Sequence, residues 1–223
     1  MLKNIIIVGH TNAARIFFAI LSKDPQINIA AFTVHEAFLD ADQLFGVKLV
    51  AFETLSSRFS PDEYSIVNGV GYGNVNRNRE LTYLAAKEAG YPLFTYVHPS
   101  ATNLAENVGE GVFVMPGAVI EPYARLGANS VVCSNTTVAH DSIIEENCWL
   151  ASGTVVSGGA HIKRNTFLGV NSTIVNNIIV EEYNIIGAQT LIAKNTAKNG
   201  VYLSRPGEPH RFASEDYARY YLA

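Results

Sequence analysis

Every sixth residue from 108 to 192 is aliphatic. The series runs Val108, Val114, Ile120, Leu126, Val132, Val138, Ile144, Leu150, Val156, Ile162, Leu168, Ile174, Val180, Ile186 and Ile192, with no insertion to break it. An amphipathic helix repeats near 3.6 residues and a half-buried strand near 2, so a sustained period of six fits neither. It fits a solenoid of short parallel strands, in which each rung buries one aliphatic side chain and three rungs close a coil of eighteen residues. Four residues after each aliphatic stands a small side chain: Val112, Ala118, Ala124, Ser130, Thr136, Ser142, Cys148, Thr154, Ala160, Thr166 and Ser172. Such residues suit the inside of a narrow prism. Glycines and asparagines recur between them (Gly109, Gly127, Gly169, Gly187, Asn129, Asn147, Asn165), as expected where corners need positive φ. An ordinary β-sandwich would show two-residue alternation and irregular turn spacing instead.

The first hundred residues read differently. Asn4–Val8 has the continuous apolar pattern of a buried parallel strand, and residues 11–22 carry apolar positions at helical spacing. Ile27–Val34 reads as a second strand, Asp62–Gly69 contains a third, residues 76–89 a second helix stopped at Gly90, and Pro92–Val97 a fourth strand. This alternation implies a small Rossmann-like α/β unit with a parallel sheet. Its first strand-to-helix turn, Gly9-His10-Thr11-Asn12, lacks the G-x-G-x-x-G pattern that admits a pyrophosphate, which argues against a dinucleotide site. Thr11 or Asn12 is the expected helix N-cap.

Composition narrows the function. Charged residues are 16% of the chain and the net charge is -4, so there is no basic field for a nucleic acid. Cys133 and Cys148 belong to no metal-ligand spacing and read as buried apolar side chains. The opening apolar run is too short for a signal core or a membrane span, so a cytoplasmic protein without membrane insertion is expected.

Several segments carry a resemblance: N-I-I-I-V-G at 4–9, G-V-G-Y-G-N at 69–74, Y-V-H-P-S-A at 96–101, V-A-H-D at 138–141, L-G-V-N-S at 168–172, I-I-G-A at 185–188 and G-V-Y-L-S-R-P at 200–206. The chain is similar to the hexapeptide-repeat sugar acetyltransferases, in particular those acting on the amino group of nucleotide-linked 4-amino-4,6-dideoxy sugars, and their sialic-acid-cluster O-acetylating relatives. The resemblance implies a left-handed parallel β-helix after the α/β unit, a homotrimer with active sites at clefts between subunits, and acetyl-CoA as co-substrate. It assigns His140 as general base, Asp141 as the carboxylate that orients it, and the Gly158 backbone N–H as oxyanion donor. It places Asn135 against the substrate, together with Gly9, Thr11, Gly71 and Trp149, the last where some members have an active-site histidine. Gly169, Asn171, Gly187, Ala188, Lys194 and Arg205 are the CoA contacts it implies, and no metal is expected. A His is suited to the role: near neutrality it can accept the proton that an attacking amine or hydroxyl must lose, and a neighbouring carboxylate stabilises the imidazolium. His98, His161, His35 and His210 show no such context.

The expected organisation is residues 1–100 as the α/β substrate-binding domain, 101–210 as the β-helix acyltransferase domain and 211–223 as a helical tail. Three departures from the family bear on the acceptor. The first turn is Gly-His-Thr-Asn, the second strand ends Thr33-Val34-His35 where many members carry acidic residues, and Trp149 replaces a histidine. The closing segment Ser204–Pro209 also differs from the usual G-x-P-A-K. O-acetylation of a sugar hydroxyl is the alternative within the class. A non-catalytic scaffold, or a metal-dependent hydratase of the γ-carbonic-anhydrase type, is the alternative outside it.

Overall fold

The computed structural model describes residues 2–221. Its first unit is a five-stranded sheet made of β1 (Lys3–Val8), β2 (Ile27–Val34), β3 (Gln43–Leu44), β4 (Val47–Ala51) and β5 (Ser65–Asn68). The order is β3-β4-β2-β1-β5, parallel throughout except for the short β3–β4 pair. Helix α1 (Asn12–Leu21) follows β1, and α2 (Arg77–Glu88) follows β5. Ile5, Ile6 and Ile7 are fully buried because helices and loops cover both sheet faces. The N-cap of α1 is Thr11, as expected, although its side chain makes no capping bond.

Two details correct the sequence reading. The pair β3–β4 was not expected. Pro92–Val97 is not a fourth strand of this sheet: Leu93 makes only a single bridge to Ile66, and Tyr96–Val97 pairs with Phe113–Val114, making it the first rung of the second unit.

That second unit is a left-handed parallel β-helix of two-residue strands. All fifteen aliphatic positions of the repeat are the second residue of such a strand, from Asn107–Val108 to Leu191–Ile192. Strands eighteen residues apart pair in register, giving three sheets. A seven-stranded face runs from Tyr96–Val97 to Val201–Tyr202, a six-stranded face from Thr102–Asn103 to Leu191–Ile192, and a five-stranded face from Asn107–Val108 to Ile179–Val180. The aliphatics form one continuous core with the small residues between them, and from Val112 to Ser172 every one of the latter is fully buried. Several of the small polar residues turn their hydroxyl to the carbonyl fifteen positions on, as Ser130 does to Glu145, Thr136 to Ala151 and Thr166 to Glu181. The prism can therefore tolerate hydroxyls inside it.

The corners obey a stricter rule than the sequence suggested. Three residues after each aliphatic, at every sixth position from Gly111 to Gln189, the backbone is left-handed. Asn and Gly fill most of these positions, but Tyr123, Asp141, Tyr183 and Gln189 do so too. Gly109, Gly127, Gly169 and Gly187, expected at positive φ, are not left-handed. They are glycines because the next coil passes too close for a side chain: a Cβ at Gly109 or Gly169 would lie 2.6 Å from the backbone nitrogen of Ala128 or Ala188.

The α/β unit packs on the seven-stranded face. Phe17 of α1 stacks on Phe113 at 3.9 Å between ring centroids and lies parallel to Trp149, inside one cluster with Tyr96, Val131 and Phe32. Arg79 of α2 is buried, and among the described residues no carboxylate pairs with it. It donates to the carbonyls of Asn129 and Val70 and lies over the Trp149 ring, tying the loop after β5 to the solenoid. At the same corner Asn129, Asn147 and Asn165 form a side-chain ladder that ends on Glu80. Helix α3 (Ser214–Tyr221) lies within the segment 211–223, of which Leu222 and Ala223 are outside the described residues.

Candidate active site

His140 sits where the chain leaves the six-stranded face, between the strands Thr137–Val138 and Ile143–Ile144. The corner residue of that turn is Asp141, at φ 60. An Asp tolerates the left-handed region better than most residues, and the conformation folds its carboxylate back onto the preceding side chain. Asp141 Oδ2 is 2.8 Å from His140 Nδ1. With the ring proton on Nδ1, the lone pair at Nε2 is free to accept another. This hydrogen bond is the main cause that raises the His140 pKa above its usual 6.5, with the charges of Asp141 and Glu121 adding to it. Both side chains are well exposed, at 60% and 62%.

Gly158 lies one coil below. A Cβ there would lie 2.7 Å from both Cε1 and Nε2 of His140, so the ring rests directly on the glycine backbone. Among the described residues none accepts the Gly158 N–H. The His140 carbonyl receives the N–H of Gly159 at 2.9 Å, and its own N–H donates to Glu121 Oε2 at 2.8 Å. An imidazole with a free Nε2, a carboxylate behind it and an unpaired backbone donor beside it can take a proton from a nucleophile while an oxyanion forms. A hollow of about 360 Å³ lies on the far side of Asp141, lined by Glu106, Tyr123, Arg125, Asp141 and Ile143.

The other expected site residues are dispersed over the molecule. Gly169, Asn171, Gly187 and Ala188 gather in the later coils at the corner between the seven- and six-stranded faces, with Asn135 two coils above Asn171 on the same edge. Asn135 and Asn171 are themselves left-handed corner residues, and each turns its side-chain oxygen onto the glycine one coil earlier, Gly117 and Gly153. Lys194 stands exposed on the His140 corner, three coils on from His140. Three strand spacings of ~4.8 Å place the two backbones roughly 14 Å apart along the prism. Arg205 is exposed in the irregular segment before α3.

Gly9, Thr11 and Gly71 lie on the α/β unit, at the carboxyl ends of β1 and β5. Sheet order reverses between these two strands, which is where open α/β sheets take ligands. Gly69 is indispensable there, since a Cβ would lie 2.6 Å from the Val8 carbonyl oxygen. Trp149 is 6% exposed, and its ring is engaged by Phe17, Arg79 and Tyr72. It packs the two units together, with the exposed Tyr72 edge-on to its ring.

Sequence reasoning missed Glu53. Its carboxylate is held by His35 Nδ1 at 2.9 Å and by the Glu36 N–H at 3.0 Å, and the His35 bond lowers its pKa. It brings an acidic group to the end of β2, where the sequence itself has only Thr-Val-His. Burial pushes the thiols of Cys133 and Cys148 up to about 12, so neither is a nucleophile. Among the described residues no group of three His, Cys, Asp or Glu side chains could hold a metal, and no helix is long and apolar enough to cross a membrane.

Residues 107–140 match the family model "Bacterial transferase hexapeptide (six repeats)". No curated protein sequence matches the chain. Among solved structures, the acetyltransferase domain of PglB from Neisseria gonorrhoeae FA1090 superposes with a TM-score of 0.80 at 20% identity, covering 93% of this chain and 100% of that one. A histidine-to-asparagine mutant of perosamine N-acetyltransferase from Caulobacter crescentus, in complex with CoA and GDP-perosamine, gives 0.81 at 21% identity, covering 92% and 95%. WeeI from Acinetobacter baumannii AYE gives 0.79 at 18% identity, covering 92% and 98%. The chain therefore has the fold of these proteins, an α/β unit packed on a left-handed β-helix of hexapeptide repeats, along almost its whole length.

Proposed function

We propose that the chain is an acetyl-CoA-dependent sugar acetyltransferase acting on the amino group of a nucleotide-linked amino-deoxy sugar, with His140 as general base. The observation that carries the reading is the stack of His140, held by Asp141, on Gly158. The acceptor amine attacks the thioester carbonyl, His140 Nε2 takes its proton, and the Gly158 N–H donates to the oxyanion that forms. Collapse expels the CoA thiolate, and the imidazolium returns the proton to it. The likeness to a perosamine N-acetyltransferase bound to CoA and GDP-perosamine supports the substrate class.

The active unit is a homotrimer in this reading. The α/β unit covers the seven-stranded face, whereas His140 stands on the opposite corner, between the other two faces. A nucleotide held at the strand ends of one chain is thus aimed away from that chain's own base, and a neighbouring subunit must supply the other half of the site. Lys194, three coils on from His140, suits the CoA phosphates, with Gly187-Ala188 as a flat ledge for the base. Residues 1–100 carry the nucleotide, 101–210 the chemistry, and the pathway is cytoplasmic synthesis of a surface glycan.

The test is thiol release from acetyl-CoA with a panel of nucleotide-linked amino sugars and plain glycans, for the wild type and His140→Ala. Turnover of an amino sugar that the mutant loses supports the proposal. Turnover with hydroxyl acceptors alone moves the reaction to O-acetylation, and no release with any acceptor removes the enzyme reading.

A further inference from the structure

One carboxylate next to His140 has no part in the chemistry above. Glu121 stands one coil earlier and accepts the His140 backbone N–H at 2.8 Å. Among the described residues no cation pairs with its carboxylate, and the His140 N–H is the one donor bonded to that side chain.

The same nineteen-residue step recurs once. Glu145 Oε2 accepts the Arg164 N–H at 2.9 Å, but that carboxylate also holds His161 at 2.7 Å. Elsewhere the N–H at this point of the turn goes without such a side-chain partner. Nineteen residues before Gly158 is Ala139, which has no acceptor to offer, and the Gly158 N–H stays open. The repeat thus carries a side-chain acceptor where the base must be held and lacks one where a backbone donor must remain available.

We propose that Glu121 is a positioning residue for catalysis: its carboxylate clamps the His140 backbone so that the imidazole stays seated over Gly158 at the thioester. The inference rests on His140 being the base. The backbone of this corner is otherwise tied by Gly159 N–H to the His140 carbonyl and Ala139 N–H to the Val156 carbonyl, both at 2.9 Å, and by two long 3.3 Å bonds, from Asp141 N–H to the Pro122 carbonyl and from Ser142 N–H to the Ala139 carbonyl. The side chain itself is largely in water, so little besides the backbone and Asp141 sets its direction. A freed N–H would let the turn rock and widen the arc through which Nε2 moves, and proton transfer falls off steeply with such misplacement.

The test compares Glu121→Gln, Glu121→Ala and His140→Ala in the full chain. The readouts are kcat and KM for acetyl-CoA, thermal melts, and an NMR titration of the His140 ring in the protein without substrate. The titratable groups facing that ring are Asp141 and Glu121, with the Glu106–Arg125 pair beyond Asp141. Glu121→Ala is expected to lower kcat at least tenfold while KM stays within twofold and the melting temperature holds. Glu121→Gln keeps an amide oxygen for the N–H and is expected to recover most of the rate. Both variants lose the charge, so His140 titrates at lower pH in both. Rates of Glu121→Ala within twofold of the wild type, beside an inactive His140→Ala, would overturn the clamp. Equal damage in Glu121→Gln and Glu121→Ala would overturn it too, because charge rather than the hydrogen bond would then be responsible. An active His140→Ala would instead remove the assignment of the base, and the inference with it.

Discussion

Gly158→Ala separates geometry from stability at the centre of the site. The new Cβ would start 2.7 Å from Cε1 and Nε2 of His140, against ~3.5 Å for carbon atoms in contact, so the ring must retreat by roughly 0.8 Å. It has somewhere to go, because its side chain is 60% exposed and only Asp141 restrains it. Gly158 is not in the left-handed region, so alanine fits its backbone without strain. Folding should therefore be nearly unchanged, while a displacement of this size at a reacting group costs about 100-fold in rate, or ~2.7 kcal/mol of transition-state stabilisation. The neighbouring Gly159→Ala is the contrast. Gly159 has φ 69 and abuts the Asn177 side chain, so alanine there costs about 1–2 kcal/mol of stability, roughly 4 °C in melting temperature. The assay is thiol release from acetyl-CoA with thermal melts on the same preparations. A Gly158→Ala enzyme within threefold of the wild type would refute the claim that the seat of the ring over Gly158 is the catalytic one.

The pH profile offers a second check. The base works when neutral, so activity rises as pH passes the His140 pKa, and the hydrogen bond that Asp141 accepts from the ring raises that limb above the usual 6.5. Asp141→Asn should shift the limb of kcat/KM to lower pH and reduce the plateau about tenfold, since the exposed amide no longer stabilises the imidazolium; an unmoved limb would mean that another group titrates. At the far end of the prism Glu182 pairs with Lys198 and Arg164, whose hydrogen bonds hold its pKa down to about 2. A depressed carboxylate contributes stability above its unfolded pKa of about 4.5 and loses it as pH falls toward 2. Glu182→Gln should accordingly lower the melting temperature at pH 7 and make no difference near pH 2, and equal shifts at both would show that packing rather than charge is at stake.

The aliphatic ladder was legible because it is a purely local signal: each Val, Ile or Leu is buried in its own rung whatever the rest of the chain does. The corners were half legible. Asn and Gly announce positive φ, but Tyr123, Asp141, Tyr183 and Gln189 occupy it only because the coil imposes it. What the sequence concealed depends on contacts between distant elements. Arg79 lies in a charged, outward-looking helix pattern, yet it is buried while Leu81 and Leu84 of the same helix are exposed, because the partner surface is a loop rich in free carbonyls. Trp149 reads as a substitution in an active site until Phe17 is seen lying parallel to it. The pairing of His35 with Glu53 joins the ends of two strands eighteen residues apart, and no motif spacing foretells it.

A solenoid of this kind separates folding from function within each repeat. The aliphatic and small positions are committed to the core, and the left-handed position is committed to the turn. The residue just before that corner is less constrained, because its backbone N–H is not needed by the ladder. Along one edge this position reads His140, Gly158 and Asn176, one per coil, and Lys194 continues the column just after the last strand of that face. Parallel pairing in register stacks them in a column at ~4.8 Å per step. On the function proposed above, a proton acceptor, a backbone donor and a cation are thereby set in a fixed order along a straight line, with no loop to be arranged. The span from base to cation suits an elongated thioester whose reactive carbon and phosphates lie at opposite ends. Neither a shift of register by one coil nor an insertion within one can be absorbed without separating these groups, which on the proposed function is a reason, beyond packing, for the unbroken period of six.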